Sequence, residues 1–441
     1  MAPANVIVAL ATAPGRAGVA VLRLSGQGLA QFARQLTGIT PEPRHAHLVG
    51  FRDLMGAVLD RGLLLWFPAP ASYTGEDVLE LHTHGGDVLP RRVMQACLAL
   101  GARPAQPGEF TRRAFEHGKL DLAQAEAVAD LIDATSEAAA RGALRSLSGD
   151  FSKQINGLQE TLITVRVQLE GAIDFPEEEL PVAALARAQA WLTPVLGTLQ
   201  RLLAEGLRGQ ALRMGRQVVL FGAPNVGKSS LLNRLAGEAL AIVSDEAGTT
   251  RDAIRSHLEL AGLRVELVDT AGVREGAQAV EKLGIARAHE AASQADLVLW
   301  LQAFDQVDGL AIPVLPVGVP VLEVWNKGDL ATPTQSAQVL KRANTCVVSA
   351  QTGAGIADLE QRILAALGWS AGVEPGFLAR TRHLDALRLT LRHVEQALQA
   401  PAEELVAEEL RLAQRALDLV LGDFVADDLL GEIFSRFCIG K

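Results

Sequence analysis

Aromatic residues are scarce in this sequence: they make up 4% of its 441 residues, and only one of them is a tyrosine. Extensive stacking of nucleic-acid bases on aromatic side chains is therefore not expected. Cysteine is rarer still, and Cys97, Cys346 and Cys438 lie far apart in the chain. They give neither a disulfide framework nor the spacing of a metal-binding cluster.

Long hydrophobic runs are also missing. No apolar stretch approaches the ~20 residues that a membrane-spanning helix needs. Residues 6–10 are too short for a signal peptide and lack its basic flank. The formal net charge of −10 argues against a generally basic surface for nucleic acid. About half of the residues are nonetheless hydrophobic, and the length suits two or three domains. We expect a soluble cytoplasmic protein with no membrane segment.

A complete phosphate-loop motif, G-x-x-x-x-G-K-S, occupies residues 222–229. The apolar run 217–221 predicts a buried strand before it, and residues 230–235 predict the start of a helix after it, which is the context this motif requires. Its glycines let backbone N–H groups surround phosphate oxygens at a helix N-terminus, where anions are favoured. We expect Lys228 to reach the β- and γ-phosphates and the Ser229 hydroxyl to bind Mg²⁺.

Two switch-like segments follow in the order expected of a GTPase. Residues 248–252 (Gly-Thr-Thr-Arg-Asp) lie in a non-periodic stretch, where a threonine hydroxyl can complete the magnesium shell when γ-phosphate is present. Residues 269–272 (Asp-Thr-Ala-Gly) follow a strand predicted at 265–268. There we expect Asp269 to hold Mg²⁺ through water and the Gly272 amide to sense the γ-phosphate.

Two base-recognition segments complete the set. Residues 326–329 (Asn-Lys-Gly-Asp) follow a strand predicted at 321–325. Asp329 can accept hydrogen bonds from N1–H and from the exocyclic amino group of guanine; adenine lacks both donors, so this carboxylate selects GTP over ATP. The backbone of residues 349–351 (Ser-Ala-Gln), after a strand at 346–348, can contact the guanine oxygen. Five motifs at the ends of successive strands predict a Ras-like, doubly wound G domain.

The group that drives catalysis is harder to identify. Ras-like enzymes place a water-orienting glutamine directly after the second switch motif, whereas Val273 here cannot orient water. A metal ion, another residue of this chain or a partner must therefore act instead. Asn225, inside the phosphate loop, offers a side-chain oxygen for a monovalent cation, which would neutralise transition-state charge in place of an arginine. Glu281 lies just beyond the second switch. The residues alone support two interpretations of Glu281 equally: a carboxylate that orients water, or an exposed residue at the start of a helix.

The rest of the chain divides around this unit. Residues 1–118 mix strand and helix patterns and predict a small α+β domain. Residues 119–212 and 371–441 show apolar residues at three- and four-residue spacing, which is typical of long helices, and the pattern is helical throughout from 121 to 174. We predict one discontinuous helical domain into which the G domain, residues 213–370, is inserted.

A set of segments spread over almost the whole chain carries a family resemblance. Its members are residues 14–18, 73–78, 119–127, 222–230, 248–252, 280–285 and 437–441. The last of these, Phe-Cys-Ile-Gly-Lys, is the most specific. The set resembles the MnmE (TrmE) family of tRNA-modifying GTPases.

This resemblance implies a function. Such proteins bind formyl-tetrahydrofolate in the amino-terminal domain and form a homodimer through it. With an FAD-dependent partner, MnmG (also called GidA), they form a heterotetramer. Together they add an aminomethyl or carboxymethylaminomethyl group to the wobble uridine of certain tRNAs, and folate supplies the one-carbon unit. GTP hydrolysis uses Mg²⁺, is stimulated by K⁺ and by approach of the two G domains, and drives a conformational change.

The resemblance also implies roles for single residues. Glu281 matches the residue that orients water, and it joins Asn225 and Lys228 in the catalytic set. The folate site matches Arg23, Glu80, Lys119 and Lys441. The family's magnesium ligands match Ser229 and Thr250. Its potassium ligands match Asn225, together with Ser244, Glu246 and Thr249, which contribute mainly backbone oxygens. The GTP site matches Asn225, Val226, Gly227, Lys228, Ser229, Ser230, Ser244, Asp245, Glu246, Ala247, Gly248, Thr249, Thr250, Asp269, Thr270, Ala271, Gly272, Asn326, Lys327, Asp329, Ser349 and Ala350.

Some positions depart from the family pattern. Gln351 stands where lysine or arginine is usual, so base contacts at this loop rest on the backbone. Glu246 replaces a residue that is often apolar, although its carbonyl can still serve. Residues 302–320 are short for the helix expected there. Cys438 matches a family cysteine that is either a reactive thiolate or a structural or site-lining residue. A thiolate needs an electropositive site, which the nearby Arg436 and Lys441 permit.

Three further alternatives stay open. His82 and His84 are either a weak metal-binding pair or polar residues at a strand end. The basic stretch Arg380, Arg382, His383, Arg388 and Arg392 can meet tRNA phosphates or form a solvated helix face, and we expect the partner to supply much of the positive surface. The alternative function is a regulatory GTPase switch in ribosome or RNA assembly without one-carbon chemistry. Such a switch would have no use for Arg23, Glu80 and residues 438–441.

Overall fold

The computed structural model describes residues 5–174, 181–238, 254–269, 292–306, 318–370, 372, 376–422 and 427–440. Within these ranges, no helix combines the length and the apolar character needed to cross a membrane. Contacts between Cα atoms divide the chain into two compact units. The first comprises Met1–Ile132, Leu144–Arg201 and Asp385–Lys441, and the second comprises Asp133–Ala143 and Leu202–Leu384.

The strands and helices are numbered in chain order. The strands are β1 Ile7–Leu10, β2 Val19–Gly26, β3 His47–Arg52, β4 Val58–Phe67, β5 Asp77–His84, β6 Arg103–Pro104, β7 Arg216–Gly222, β8 Ile254–Leu260, β9 Leu263–Asp269, β10 Leu297–Ala303, β11 Val321–Asn326 and β12 Thr345–Val347. The helices are α1 Leu29–Thr37, α2 Leu89–Ala99, α3 Glu109–Glu116, α4 Leu122–Ile132, α5 Glu137–Leu147, α6 Asp150–Asp174, α7 Pro181–Met214, α8 Lys228–Glu238, α9 Pro333–Val339, α10 Ile356–Ala366, α11 Thr381–Gln399, α12 Glu403–Leu421 and α13 Asp427–Ser435.

The amino-terminal part of the first unit is a six-stranded sheet in the order β3-β4-β5-β2-β1-β6. Its neighbouring strands are antiparallel, except that β1 and β6 run parallel. Successive side chains of a strand point to opposite faces. Leu22 and Leu81 therefore join the core that α1 and α2 cover, whereas Arg23 and Glu80 lie on the other face. The predicted α+β fold of this region is confirmed.

Long helices make up the rest of the first unit. The sequence predicted unbroken helix over 121–174, but the chain leaves the helical conformation between α4 and α5 and again before α6. At the second break Gly149 has φ of 83°, a left-handed conformation that suits glycine at a helix end. The predicted long helix is therefore three helices. The last of them, α6, packs against α12.

The second unit contains a six-stranded sheet in the order β12-β11-β10-β7-β9-β8. Its neighbouring strands run parallel, except for the antiparallel hairpin of β8 and β9. The residues of β7 from Val218 to Phe221 are all buried, as expected for a central parallel strand with both faces covered. Because the parallel strands share one direction, their carboxyl ends meet at one edge of the sheet. The motifs predicted after β7, β9, β11 and β12 begin at that edge.

Candidate functional site

The phosphate loop joins β7 directly to α8, as the sequence predicted. Asn225 and Gly227 both have positive φ, 64° and 92°. A Cβ atom added at Gly227 would lie closer to Nδ2 of Asn326 than the 3.0 Å that real Cβ atoms keep. Glycine is therefore required at 227 for its backbone conformation and for the close approach of Asn326. A larger residue would fill this part of the cradle.

Lys228 is the first residue of α8 and is only 6% exposed. Its Nζ atom donates hydrogen bonds to the carbonyl oxygens of Gly222 and Ala223, both at 2.8 Å. The ammonium group is thus held against the loop, at the helix N-terminus where anions are favoured. Ser229 follows in the first turn of the helix. Backbone N–H groups, one lysine and one hydroxyl fit the phosphates of a nucleotide and their magnesium ion.

Asn326, the last residue of β11, links the phosphate loop to the base-recognition loop. Its side chain is almost completely buried. Nδ2 donates to the carbonyl oxygen of Val226 at 2.9 Å, and Oδ1 accepts a hydrogen bond from the backbone N–H of Ala350 at 3.1 Å. Both ends of this amide are therefore satisfied. The two predicted segments are brought together by one side chain.

Asp329, three residues after Asn326 in the base-recognition segment, is exposed. The Ser349 hydroxyl donates to its Oδ1 atom at 2.5 Å. The backbone N–H of Gly328 donates to the carbonyl oxygen of Val348 at 2.9 Å, which fixes the two loops to each other. The carboxylate is oriented by its serine partner and remains open to a base with two adjacent donors, as guanine has.

Two side chains of this site were missed by the sequence reasoning. Asp305 follows β10, and its Oδ2 atom forms an ion pair with Nζ of Lys327 at 2.6 Å. The next residue, Gln306, donates from Nε2 to the carbonyl oxygen of Pro224 at 3.3 Å. Their position just beyond the carboxyl end of a central parallel strand is the signal that could have found them.

The magnesium side of the site is described only in part. β9 pairs with β7 so that Asp269 lies opposite Leu220, which brings the backbone of Asp269 to the phosphate-loop edge of the sheet. The side chain of Asp269 lies outside what the structure describes. The other predicted residues outside the described ranges are Ser244, Asp245, Glu246, Ala247, Gly248, Thr249, Thr250, Thr270, Ala271, Gly272, Glu281 and Lys441.

A second candidate site lies on the amino-terminal sheet. Arg23 on β2 and Glu80 on β5 are cross-strand neighbours. Nε and Nη2 of Arg23 both donate to Oε1 of Glu80, at 3.1 and 2.9 Å. The guanidinium also lies 5.7 Å from the centre of the Tyr73 ring. Burial raises the pKa of Tyr73. An ion pair beside a neutral phenol can bind a planar ligand that has both donors and carboxylates.

The loop that carries Tyr73 also contacts Lys119. Nζ of Lys119 donates to the carbonyl oxygen of Pro70 at 3.2 Å, and a Cβ atom at Gly75 would meet Cγ of Lys119 at 3.4 Å. Three of the four predicted folate residues therefore gather around residues 70–75. The carboxy-terminal segment reaches the same sheet, because a Cβ atom at Gly440 would lie within 3.0 Å of the carbonyl oxygen of Leu10.

Beneath this loop lies a buried charged cluster that the sequence did not reveal. Nη1 of Arg113 is 2.7 Å from Oε2 of Glu76, and Nη2 is 3.1 Å from Oε1 of Glu109. The Arg113 side chain is only 6% exposed. Glu76 also accepts a hydrogen bond from the Ser25 hydroxyl at 2.9 Å. The cluster anchors the loop to β2 and α3.

The two histidines are paired with carboxylates. Nδ1 of His84 lies 2.8 Å from Asp60, and Nε2 of His82 lies 3.6 Å from Glu80. Among the residues that the structure describes, no group of three or more histidine, cysteine or acidic side chains could hold a metal ion. These contacts favour the interpretation of polar strand residues.

Cys438 is exposed. Arg436, which the sequence offered as a source of positive charge beside it, pairs with Glu432 at 2.6 Å. In the basic stretch of α11, His383 is buried, and Arg388 forms an ion pair with an acidic residue of its own helix. For His383 and Arg388 these positions favour a structural or solvated role.

The parallel sheet, the phosphate loop and the base-recognition loop define a phosphate-loop nucleotide-binding protein with a Ras-like, doubly wound domain. Two family models match the chain: the GTP-binding protein TrmE N-terminus over residues 6–119 and the MnmE helical domain over residues 122–438. The chain belongs to the MnmE (TrmE) family.

Curated relatives match over nearly their full length. One from Azoarcus sp. (strain BH72) is 51% identical over 100% of this chain and 98% of its own. One from Bordetella parapertussis is 49% identical over 99% of both. Each is named tRNA modification GTPase MnmE. A solved structure of Aquifex aeolicus Era bound to GDP·AlF4⁻ is 23% identical, covering 40% of this chain and 66% of its own, at a TM-score of 0.27, too low to bear on the fold.

Proposed function

We propose that this protein hydrolyses GTP as part of tRNA modification. The observation that carries the proposal is the link that Asn326 makes between the phosphate loop and the Ser349–Ala350 backbone, beside Asp329. A carboxylate in that place favours a base with two adjacent donors, so the pocket selects guanine. The printed name of the relatives, tRNA modification GTPase, supplies the biological context.

The proposed catalytic roles combine the position of Lys228 with the family resemblance. Lys228 would contact the β- and γ-phosphates, Ser229 and Thr250 would hold Mg²⁺, and Asp269 would hold that ion through water. Bound Mg²⁺ would neutralise charge on the phosphate oxygens. By the family resemblance, Glu281 orients the attacking water, a role that Val273 cannot fill. The buried position of Lys228 at the helix N-terminus supports its role in this scheme.

Potassium is proposed as the second cation. Asn225 is exposed in the phosphate loop, with φ of 64°. Its side-chain oxygen, together with backbone oxygens of Ser244, Glu246 and Thr249, fits a monovalent ion, since amide and carbonyl oxygens are neutral ligands. Such an ion would add positive charge beside the phosphates in the transition state.

The amino-terminal domain is proposed to bind formyl-tetrahydrofolate through Arg23, Glu80, Lys119 and Lys441. Support comes from the Arg23–Glu80 pair beside Tyr73 and from the position of Gly440 against β1. Folate is a planar heterocycle with amino donors and terminal carboxylates. Glu80 can accept from the donors, and the cationic side chains can pair with the carboxylates.

We further propose the assembly that this chemistry needs. The domains are residues 1–118, 119–212, 213–370 and 371–441, and two copies associate through the first. An FAD-dependent partner, MnmG, completes a cytoplasmic complex that adds a (carboxymethyl)aminomethyl group to the wobble uridine of certain tRNAs. Cys438, exposed in the carboxy-terminal segment, is proposed to line the folate site.

The test of GTP hydrolysis uses the purified full chain in KCl or in NaCl at the same ionic strength. We expect faster turnover in KCl, and we expect Asn225→Ala to remove the difference. Asn233→Ala, an exposed residue of α8 outside the loop, is the matched control. Glu281→Ala should lower turnover about 100-fold or more while GTP binding remains. Equal rates in both salts, or normal turnover of Glu281→Ala, would contradict these roles.

The test of the modification reaction has two parts. Nucleosides of tRNA from cells lacking the protein should lose the modified wobble uridine, and the wild-type chain should restore it. Titration of the full chain with formyl-tetrahydrofolate should show binding that Arg23→Ala weakens and Arg61→Ala, an exposed residue of β4, does not. Normal tRNA nucleosides together with no folate binding would favour a regulatory switch.

A further inference from the structure

We infer that Arg234 on α8 is a positioning residue for guanine recognition, an inference that rests on the proposed GTP-binding function. The Nε atom of Arg234 donates to the carbonyl oxygen of Ala350 at 2.9 Å, and Nη2 donates to the carbonyl oxygen of Gln351 at 2.6 Å. One planar guanidinium therefore holds two successive carbonyls of the base-recognition loop. Lysine has no such rigid pair of donors.

The bond to Gln351 leads to Asp329. Because a peptide group is planar and trans, fixing the Gln351 carbonyl also fixes the N–H of Thr352 on the opposite side. That N–H donates to the Ser349 hydroxyl oxygen at 3.2 Å, and the same hydroxyl donates to Oδ1 of Asp329 at 2.5 Å. Arg234 thus supports, through one peptide and one serine, the carboxylate that distinguishes guanine from adenine.

The bond to Ala350 leads to the phosphate loop. The N–H of Ala350 donates to Oδ1 of Asn326 at 3.1 Å, and Asn326 donates to the carbonyl oxygen of Val226 at 2.9 Å. Ala350 is therefore held from both sides, by Asn326 at its N–H and by Arg234 at its carbonyl. Since Arg234 belongs to the helix that starts in the phosphate loop, it ties the base-recognition loop to the element that carries Lys228.

The loop itself gives a reason for this attachment. It closes on its own backbone, with Ser349 N–H to the Ala354 carbonyl and Gly353 N–H to the Ser349 carbonyl, both at 2.9 Å. Those bonds shape the turn but do not join it to α8. The side chain at 351 is an uncharged glutamine. A cation supplied from α8 makes charge-assisted bonds to the carbonyls, which are stronger than neutral ones.

A positioning role makes a specific kinetic prediction. Without the guanidinium the loop keeps its internal bonds but loses its attachment to α8, so a bound guanine should leave faster. The two bonds to Arg234 are present with and without nucleotide, so only part of their strength contributes to binding, and we expect GDP to bind about tenfold more weakly when they are lost. The change should lie in the dissociation rate. Affinity for ADP, which uses the phosphate loop but cannot satisfy Asp329, should stay within about twofold.

The experiment measures the binding of a fluorescent GDP analogue to the full chain, with ADP as a competitor. The variants are Arg234→Met, which removes all donors, and Arg234→Lys, which keeps the charge with a single donor group. Lys341→Met, which removes one exposed positive charge after α9, is the control. We expect faster GDP dissociation in Arg234→Met, an intermediate rate in Arg234→Lys and the wild-type rate in the control.

Two results would overturn the inference. If Arg234→Met dissociates GDP at the wild-type rate, the residue does not position the loop. If it weakens GDP and ADP by the same factor, its role is structural support of the phosphate loop, and selectivity for guanine is set elsewhere. If the wild-type chain itself does not bind GDP, the proposed function is refuted. If the wild-type chain binds GDP and the Arg234 variants behave like it, only the Arg234 inference fails.

Discussion

Replacing Gly227 with alanine tests whether the phosphate-loop cradle has the geometry described. At this position φ is 92°, and an added Cβ atom would enter the space of the Asn326 amide. The single methyl group therefore strains the backbone and displaces a buried side chain. Both effects act on the connection between the phosphate loop and the base-recognition loop, so nucleotide binding should report them directly.

The expected size follows from two contributions. An L-residue in the left-handed region costs about 1–2 kcal/mol. A buried amide moved away from its partners costs about 1–3 kcal/mol. Their sum is about 2–5 kcal/mol, and each ~1.4 kcal/mol is a factor of ten in affinity. We therefore expect Gly227→Ala to bind GDP about 30-fold more weakly, or worse, than the wild-type chain.

The assay is equilibrium binding of GDP, with thermal unfolding measured on the same samples. Gly237→Ala is the matched control, because a Cβ atom there meets no atom of the described residues within 4 Å and alanine stabilises a helix relative to glycine by about 1 kcal/mol. It should bind GDP normally and melt no earlier than the wild type. Binding by Gly227→Ala within twofold of the wild type would refute the reasoning, since neither the strain nor the displacement would then exist.

Three further outcomes are expected. Arg113→Met should lower the free energy of unfolding of the first unit by about 3 kcal/mol, because Glu76 loses its only arginine partner in the described structure, whereas Glu109 keeps Arg103. Arg112→Met, whose pair with Glu116 is exposed, should cost less than about 1 kcal/mol in the same denaturant titration. Burial raises the pKa of Glu109, but hydrogen bonds from Arg103, the Gln106 backbone and Arg113 outweigh it and hold that pKa below its ordinary value. The stabilisation that ionised Glu109 provides is therefore fully present above its unfolded-state pKa and is lost as pH falls through its lower folded-state pKa. Glu109→Gln should flatten the acid side of the plot of unfolding free energy against pH. An unchanged plot would contradict this prediction. Burial raises the pKa of Cys97 and of Cys346 to about 12. A thiol reagent should therefore modify only the exposed Cys438 in the native chain, and all three cysteines after unfolding. Rapid labelling of Cys97 in the native chain would contradict this and would show that the core around it opens.

The sequence predicted those parts of the fold whose signals are local. The phosphate loop needs its strand, its glycines and its helix within a short stretch, and β7 and α8 lie where that motif requires. The long helices were equally clear, because their apolar stripe repeats many times. The breaks before α5 and α6 were missed, since helical periodicity continues through Gly149 and conceals the turn.

The missed strands have a different physical cause. β3, His47–Arg52, is an edge strand in which only Val49 and Phe51 are buried, so the alternating pattern rests on two residues. β6 is two residues long and includes Pro104, which an edge strand tolerates. Such short strands form because their backbones hydrogen-bond to a neighbouring strand of the sheet. The local sequence does not show which strand that neighbour is.

The candidate sites show the same division. Asn326, Asp329 and Lys228 could be identified because their motifs have fixed spacing along the chain. Arg234 could not, because an arginine in a helix resembles any solvated surface residue, and its partners at 350 and 351 are 116 and 117 positions away. Residues that support a site through distant backbone groups become visible only when the fold is known.

The contact between Gly440 and Leu10 has a consequence for biosynthesis. A ribosome makes the first strand early, yet one of its neighbours emerges 430 positions later, after the whole nucleotide-binding unit. Closing so long a loop is slow compared with pairing adjacent segments. The nascent amino-terminal domain must therefore wait with the carboxyl end of β1 uncovered, so chaperone dependence during synthesis should be greatest before the carboxy-terminal segment leaves the ribosome.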